Sequence, residues 1–188
     1  MRPQLGKEKI LNAAVKLFAE KGYHGASVSE IAAAAAVSKG LMYNYFHSKE
    51  VLLLAIVEHA SAKMFAVAGN MANSADEQDF NTRLSRFLEN YGRLLKRNRR
   101  YLSFQLSLMF QPDLKKIVDV PLSMRAERLL ADTEAMFKGI GNDDTHFMAR
   151  RFIAELDGIA LHYLAVFKNY PLEAMLKRLF DSYKDQTP

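Results

Sequence analysis

Three helix-start signals crowded between Ser27 and Glu50 constrain this chain more than any other feature. Ser27-Val28-Ser29-Glu30 is a capping box, in which the serine hydroxyl and the glutamate carboxylate each satisfy an amide that a first helical turn leaves free. Ser38 can cap a second short helix ending near Phe46. Ser48 can cap a third, with Glu50 well placed in its first turn. Upstream, Ile10, Ala14, Leu17 and Phe18 recur at helical spacing until Lys21-Gly22 ends the run. Three starts in about twenty residues leave room for short helices alone.

The rest of the chain points the same way. Gly and Pro number 9 and 5 in 188 residues, and Ala, Leu, Lys, Glu, Arg and Met are plentiful, which favours helix over sheet throughout. The expectation is an all-α protein. Longer helices are expected from Val51 to about Met71, from Asp76 to about Asn98, and from Tyr101 to Phe110. Pro112 and Pro121 punctuate a connector, and helices then run from Pro121 to Lys138, Asn142 to Asn169 and Pro171 to Lys184. The natural division places a helix-turn-helix domain at residues 1–50 and a larger helical domain at 51–188.

Cysteine is absent, which removes disulfides and thiolate zinc sites from consideration. No His or carboxylate pair has metal-ligand spacing, and no phosphate loop or nucleophile motif is present, so the sequence points to no cofactor and no enzyme. The first residues lack an apolar signal core and no stretch approaches the roughly 18 apolar residues of a membrane span, so a cytoplasmic protein without membrane contact is expected. Of the formal net charge of +5, residues 1–50 supply +3, from seven Lys/Arg against four Asp/Glu. The smaller segment is thus the denser in positive charge, as contact with phosphate requires.

On a helical wheel at about 100° per residue, Met42 and Phe46 of the helix begun by Ser38 fall together and face inward with Ile31, Val37 and Leu52. Gly40 and Asn44 lie opposite. Lys39 and Tyr43 share one flank of that outward strip, and Leu41 and Tyr45 the other. Small, amide, basic and phenolic groups are the chemistry that base edges and phosphates ask for. Asn44 can pair bidentately with adenine and Leu41 can meet a thymine methyl, while Lys49 at the next helix start can meet a phosphate. Tyr43 and Tyr45 also suit partly buried packing with a wet hydroxyl, and Gly40 near a helix start suits either close approach of DNA or indifference.

From Ile10 to Leu53 the chain resembles the TetR family of bacterial transcriptional regulators. Gly22-Tyr23, Ser27-Val28, Ile31-Ala32, Val37-Ser38-Lys39-Gly40, Tyr43, Phe46 and Ser48-Lys49-Glu50 stand at the family's spacing. The resemblance implies a ligand-responsive repressor: a homodimer whose two N-terminal heads bind the half-sites of a palindromic operator in double-stranded DNA and leave it when a small molecule binds the C-terminal domain. Carried over, Lys39, Gly40, Leu41 and Asn44 face bases, and Ser27, Ser38, Tyr43, Tyr45 and Lys49 take the phosphate-contacting places. Three departures stand out. Ala36 occupies a turn position commonly held by glycine, where a left-handed residue costs more, Leu41 replaces a frequent threonine, and Asn44-Tyr45 replaces an aromatic-histidine pair.

The C-terminal part carries weaker signals. Its last helix has one apolar stripe including Leu176, Leu179 and Phe180. The helix before it, from Ile153 to Phe167, is apolar nearly all round, which asks for cover on several sides. A subunit partner meeting Leu156, Ala160, Tyr163, Leu164 and Phe167, with Leu176, Leu179 and Phe180 from the last helix, is the economical answer; a central core helix is the other. Phe65, Tyr91, Phe104, Leu108, Met109 and Met136, with His162 as a polar contact, suit an apolar effector pocket and suit an ordinary core equally. A helical module that turns the same motif against protein remains a rival, distinguished by the absence of salt-dependent DNA binding.

Overall fold

In a computed structural model the described residues are 3–72, 79–138 and 144–184, with side chains described from 5–63, 79–138 and 144–184. They form α-helices joined by short turns, with no strand among them, as the composition requires. The chain divides into two compact units. The first comprises residues 1–60 and 100–122, the second residues 61–99 and 123–188.

The first unit contains α1 (Pro3–Gly25), α2 (Val28–Ala34), α3 (Lys39–Tyr45), the start of α4 (Lys49–Ala72), nearly all of α6 (Arg99–Leu108) and the first part of α7 (Pro112–Phe137). Each start is set by the expected residue. Ser27 Oγ accepts from Glu30 N–H while the Glu30 carboxylate accepts from Ser27 N–H, Ser38 Oγ accepts from Leu41 N–H, and Ser48 Oγ accepts from Val51 N–H. α1 breaks at Gly22, whose φ of 74° suits a residue without a β-carbon. Ile10, Ala14, Phe18, Ile31, Met42, Phe46, Leu52 and Ile56 close a continuous core with Phe104, Leu108, Leu114 and Val118. The motif of residues 1–50 therefore does not complete this core by itself.

Between α2 and α3 the backbone closes a Schellman turn. Ala36 N–H donates to Ala33 C=O and Val37 N–H to Ala32 C=O, both at 3.0 Å, and Ala36 adopts a φ of 54°. A left-handed alanine costs about 1–2 kcal/mol, of which glycine would lose about 0.4–1 through its freer unfolded chain. Ala36→Gly is accordingly expected to raise stability by about 0.5–1 kcal/mol. A urea midpoint that rises with unchanged slope is the expected result, and a lowered midpoint contradicts the strain.

The expected connector from Pro112 to Pro121 is instead helix. α7 runs through Pro121 without a break, Pro112 occupying its first turn. Pro121 removes the amide that would bond the Ile117 carbonyl, but Leu114 and Val118, both fully buried one turn apart, hold the segment in the first core. Packing outweighs the lost bond.

The second unit contains the rest of α4, α5 (Phe80–Arg97), the remainder of α7, α8 (Thr145–Leu161) and α9 (Leu172–Tyr183). α5 buries Leu84, Phe87, Leu88, Tyr91 and Leu95 at helical spacing, and α9 packs on α5 and α8. Its centre is aromatic, with the Phe137 ring centroid 5.6, 5.4 and 5.5 Å from those of Phe80, Phe152 and Tyr183. The helix expected to reach Asn169 changes character at His162, where a π-helical turn over His162–Val166 ends it. The starts expected at Asp76 and Asn142 lie outside the described residues; α5 and α8 are capped by Asp79 and Asp144.

Candidate nucleic-acid interface

α3 presents two faces. Met42 and Phe46 are 1% and 2% exposed and anchor the helix in the first unit's core, whereas Lys39, Gly40, Tyr43 and Asn44 are exposed on the outside. Leu41 and Tyr45 are half-buried at the margin. A β-carbon placed on Gly40 would meet nothing within 4 Å. Among the described residues nothing requires glycine there.

Tyr45 folds back onto α1. Its ring lies over Gly6, where a β-carbon would come within 2.9 Å of the phenolic oxygen. Gly6 thus permits the contact that fixes one margin of the strip, a relation between residues far apart in sequence that no local pattern announces. Ser27 and Ser38 sit at the starts of α2 and α3 with their oxygens already accepting amide bonds, so any donation outward must come from the hydroxyl hydrogen.

Lys49 has an internal role that the sequence did not disclose. Its ammonium donates to the Ala26 carbonyl at 3.0 Å and lies 4.5 Å from the centroid of the Tyr23 ring. This ties the start of α4 to the turn before α2. With three donors on the ammonium, protons are left for an outside acceptor. Beneath it the Tyr23 hydroxyl is pushed up to about 12, first by burial and then by the nearby Glu50 carboxylate.

The capping box is itself charged. Lys21 Nζ bonds Glu30 Oε1 at 2.6 Å, and with the Ser27 amide and hydroxyl it brings the Glu30 carboxyl down to about 2. Since the folded value lies below the unfolded one, this contribution is fully present above the ordinary carboxylate range near 4.5 and is lost as pH falls toward 2. Melting temperature followed from pH 5 to 2 should therefore fall less steeply for Glu30→Gln than for the parent. Parallel curves would show that the box does not titrate with folding.

The family model for bacterial regulatory proteins of the tetR family matches residues 10–56. That span covers the caps, the Schellman turn and α3. The uncharacterized HTH-type transcriptional regulator YuxN of Bacillus subtilis (strain 168) is 46% identical over 71 residues, which cover 37% of this chain and 24% of that protein. Likeness to solved structures extends along the whole chain. A transcriptional regulator (TerR/AcrR family) from Aquifex aeolicus VF5 is 26% identical with a TM-score of 0.73, covering 95% of this chain and 98% of that one. Over residues 10–56 the chain carries the N-terminal motif of the TetR family. The fatty acid degradation regulator FadR from Bacillus halodurans shares its fold, with a TM-score of 0.71 at 22% identity over 93% of this chain and 92% of that one.

The residues expected to line an effector pocket are distributed over the two units. Phe104 and Leu108 belong to the first unit's core, where the Phe104 ring lies 5.7 Å from that of Phe18. Tyr91 and Met136 are buried in the second unit. Met109 is exposed, and so is His162, whose ring contacts Phe167 and Tyr170. The Phe65 side chain lies outside the described residues. Around Tyr91 there is a polar group that apolar periodicity could not reveal. Its hydroxyl donates to the Leu156 carbonyl at 3.1 Å, and Arg125 and Asp157 are coupled electrostatically beside it. Burial pushes the Tyr91 hydroxyl up, against the pull of Arg125.

The residues expected at a subunit interface also divide. Leu156, Leu176 and Leu179 are buried within their own unit. Ala160, Tyr163, Leu164 and Phe180 are half-buried, and Phe167 is 51% exposed. Among the described residues no helix is long and apolar enough to cross a membrane, and no group of three or more His, Cys, Asp or Glu comes together to hold a metal.

Proposed function

We propose that this chain is a sequence-specific DNA-binding transcriptional regulator of the TetR family that reads bases with Lys39, Gly40, Leu41 and Asn44. Ser27, Ser38, Tyr43, Tyr45 and Lys49 position it on the phosphates. The observation that carries the reading is the strip around Gly40: an exposed helical face with amide, basic and phenolic groups, holding a glycine that no contact among the described residues requires. Selection of bound sequences from random DNA tests it. The expected result is one enriched palindrome, bound with an affinity that falls steeply as salt rises. Recovery of no preferred sequence would remove the base-reading role.

The working form we propose is a homodimer, whose heads meet half-sites about 34–36 Å apart or a multiple of that distance. Gly158 supports it as Gly40 supports the DNA reading, since a β-carbon there also meets nothing within 4 Å. It stands on α8 with exposed Ala154 and half-buried Leu161, one turn to either side of it, a strip of small and apolar residues suited to a second copy. Effector release completes the proposal. The aromatic second unit suits a largely apolar small molecule, and FadR from Bacillus halodurans is a fatty acid degradation regulator. The chain passes between its units inside α4, α6 and α7, so a ligand that shifts these helices changes head spacing and ends simultaneous docking. The protein then acts as a repressor that its effector removes from the operator.

A further inference from the structure

α5 and α9 leave between them a groove of about 410 Å³ that neither the DNA reading nor an interior effector uses. Its lining includes the apolar side chains of Leu88, Leu172, Leu176 and Phe180. Two contacts fix the helices as antiparallel neighbours. Lys96 bonds Glu173 at one end, and farther along Leu176 seats in the notch at Gly92, where a β-carbon would come within 2.9 Å of its Cδ1. Proceeding in opposite senses from these contacts, Arg93 comes level with Lys177, and Leu88 with Phe180.

The charges of this lining do not cancel. Glu173 is committed to Lys96, whose hydrogen bond holds its carboxyl below the ordinary range. Arg93 donates to the neutral Asn90 Oδ1 at 2.7 Å, which leaves its charge uncompensated, and Glu89 reaches it only at 3.8 Å with side chains 68% and 58% exposed, a weak pair in water. Lys177 forms no ion pair among the described residues; the acid it influences, Asp181, is bonded to Lys184 at 2.8 Å. What remains is an apolar trough with two cations at the same level of its rim.

We propose that this groove binds a small amphiphilic organic anion, its apolar body on Leu88, Leu176 and Phe180 and its carboxylate or sulfonate between Arg93 and Lys177. The volume lies at the low end of the roughly 300–1,000 Å³ of small-molecule sites, which suits a ligand of about ten to fifteen non-hydrogen atoms rather than a folded partner. Surplus positive charge selects an anion over a neutral molecule of the same shape, because only the anion gains partners for the rim cations. The site is separate from the DNA-reading strip, and its occupancy does not depend on that reading.

The test uses the full chain, with decanoate as probe and 1-decanol as its neutral counterpart. Binding is read from amide shifts in the nuclear magnetic resonance spectrum. Decanoate should shift amides of α5 and α9, with decanol at least tenfold weaker. The double variant R93E/K177E, altered at two exposed positions, should weaken decanoate at least tenfold while melting temperature and affinity for a selected operator stay unchanged. Equal binding of decanol, unaltered decanoate affinity in the variant, or shifts confined to other helices overturn the proposal. So does a change of oligomeric state in R93E/K177E, which would make the groove an interface between copies of the chain. Loss of operator binding in the parent protein would instead count against the DNA reading alone.

Discussion

Replacing Gly40 with alanine is expected to stabilise the fold and weaken operator binding at least tenfold, two effects of opposite sign from one methyl group. Inside the molecule the methyl has free space, and Gly40 lies in the first turn of α3. Alanine there should be neutral to stabilising by up to about 1 kcal/mol, through helix propensity and a less flexible unfolded chain. Outside, the same methyl stands on the face that must approach base edges. A tenfold loss corresponds to about 1.4 kcal/mol, which a displaced base contact readily reaches. Asn44→Ala separates sterics from readout: it should spare affinity for random DNA and lose about 1–3 kcal/mol of discrimination at one base pair. Urea denaturation and fluorescence anisotropy on selected and random duplexes give the required numbers. Unchanged operator affinity in Gly40→Ala would move the reading surface elsewhere.

The strip was legible in the sequence because every signal that defines it is local. Ser27, Ser38 and Ser48 announce helix starts within three residues of the amides they receive, and the period of α3 places Met42 and Phe46 opposite Gly40 and Asn44 without any knowledge of the rest. Ala36 is marked through the family resemblance, which puts glycine at that turn position, and its φ of 54° shows the left-handed turn. Where meaning depends on a distant partner the sequence was silent. Lys49 reads as a surface cation until Ala26 and Tyr23 are placed beneath it. Pro121 reads as a helix boundary until the burial of Leu114 and Val118 outweighs the missing amide. Leu176 reads as one more member of an apolar stripe until Gly92 supplies the notch that receives it. The effector residues are the extreme case. Phe104, Tyr91 and Met136 have the same chemistry in a pocket wall and in a packed core, and only their neighbours assign them.

The burial of α6 and the first part of α7 within the first unit has a large consequence for stability. Phe104, Leu108, Leu114 and Val118 are at most 5% exposed and share one core with Phe18, Met42 and Phe46. Tyr101 adds a hydrogen bond from its hydroxyl to Asn12 Oδ1 at 3.0 Å. Deleting the Phe104 ring should therefore cost about 3–5 kcal/mol, in a unit whose whole stability is of the order of 5–15 kcal/mol. The damage should appear in α2 and α3, far away in sequence. Amide exchange in Phe104→Ala is expected to quicken across residues 28–46 while the buried stretch of α5 from Leu84 to Leu95 keeps its protection, because local opening follows the core that was cut. A fragment of residues 1–60 loses all four of those side chains, and at that size a chain buries too little surface to spare them. It should show no cooperative thermal transition by circular dichroism. A fragment that melts cooperatively near the temperature of the full chain, or a Phe104→Ala protein whose lost protection falls on α5, would make the motif self-sufficient. The reading helix would then not depend on α6 and α7, and these helices could carry no effector signal to it through this core.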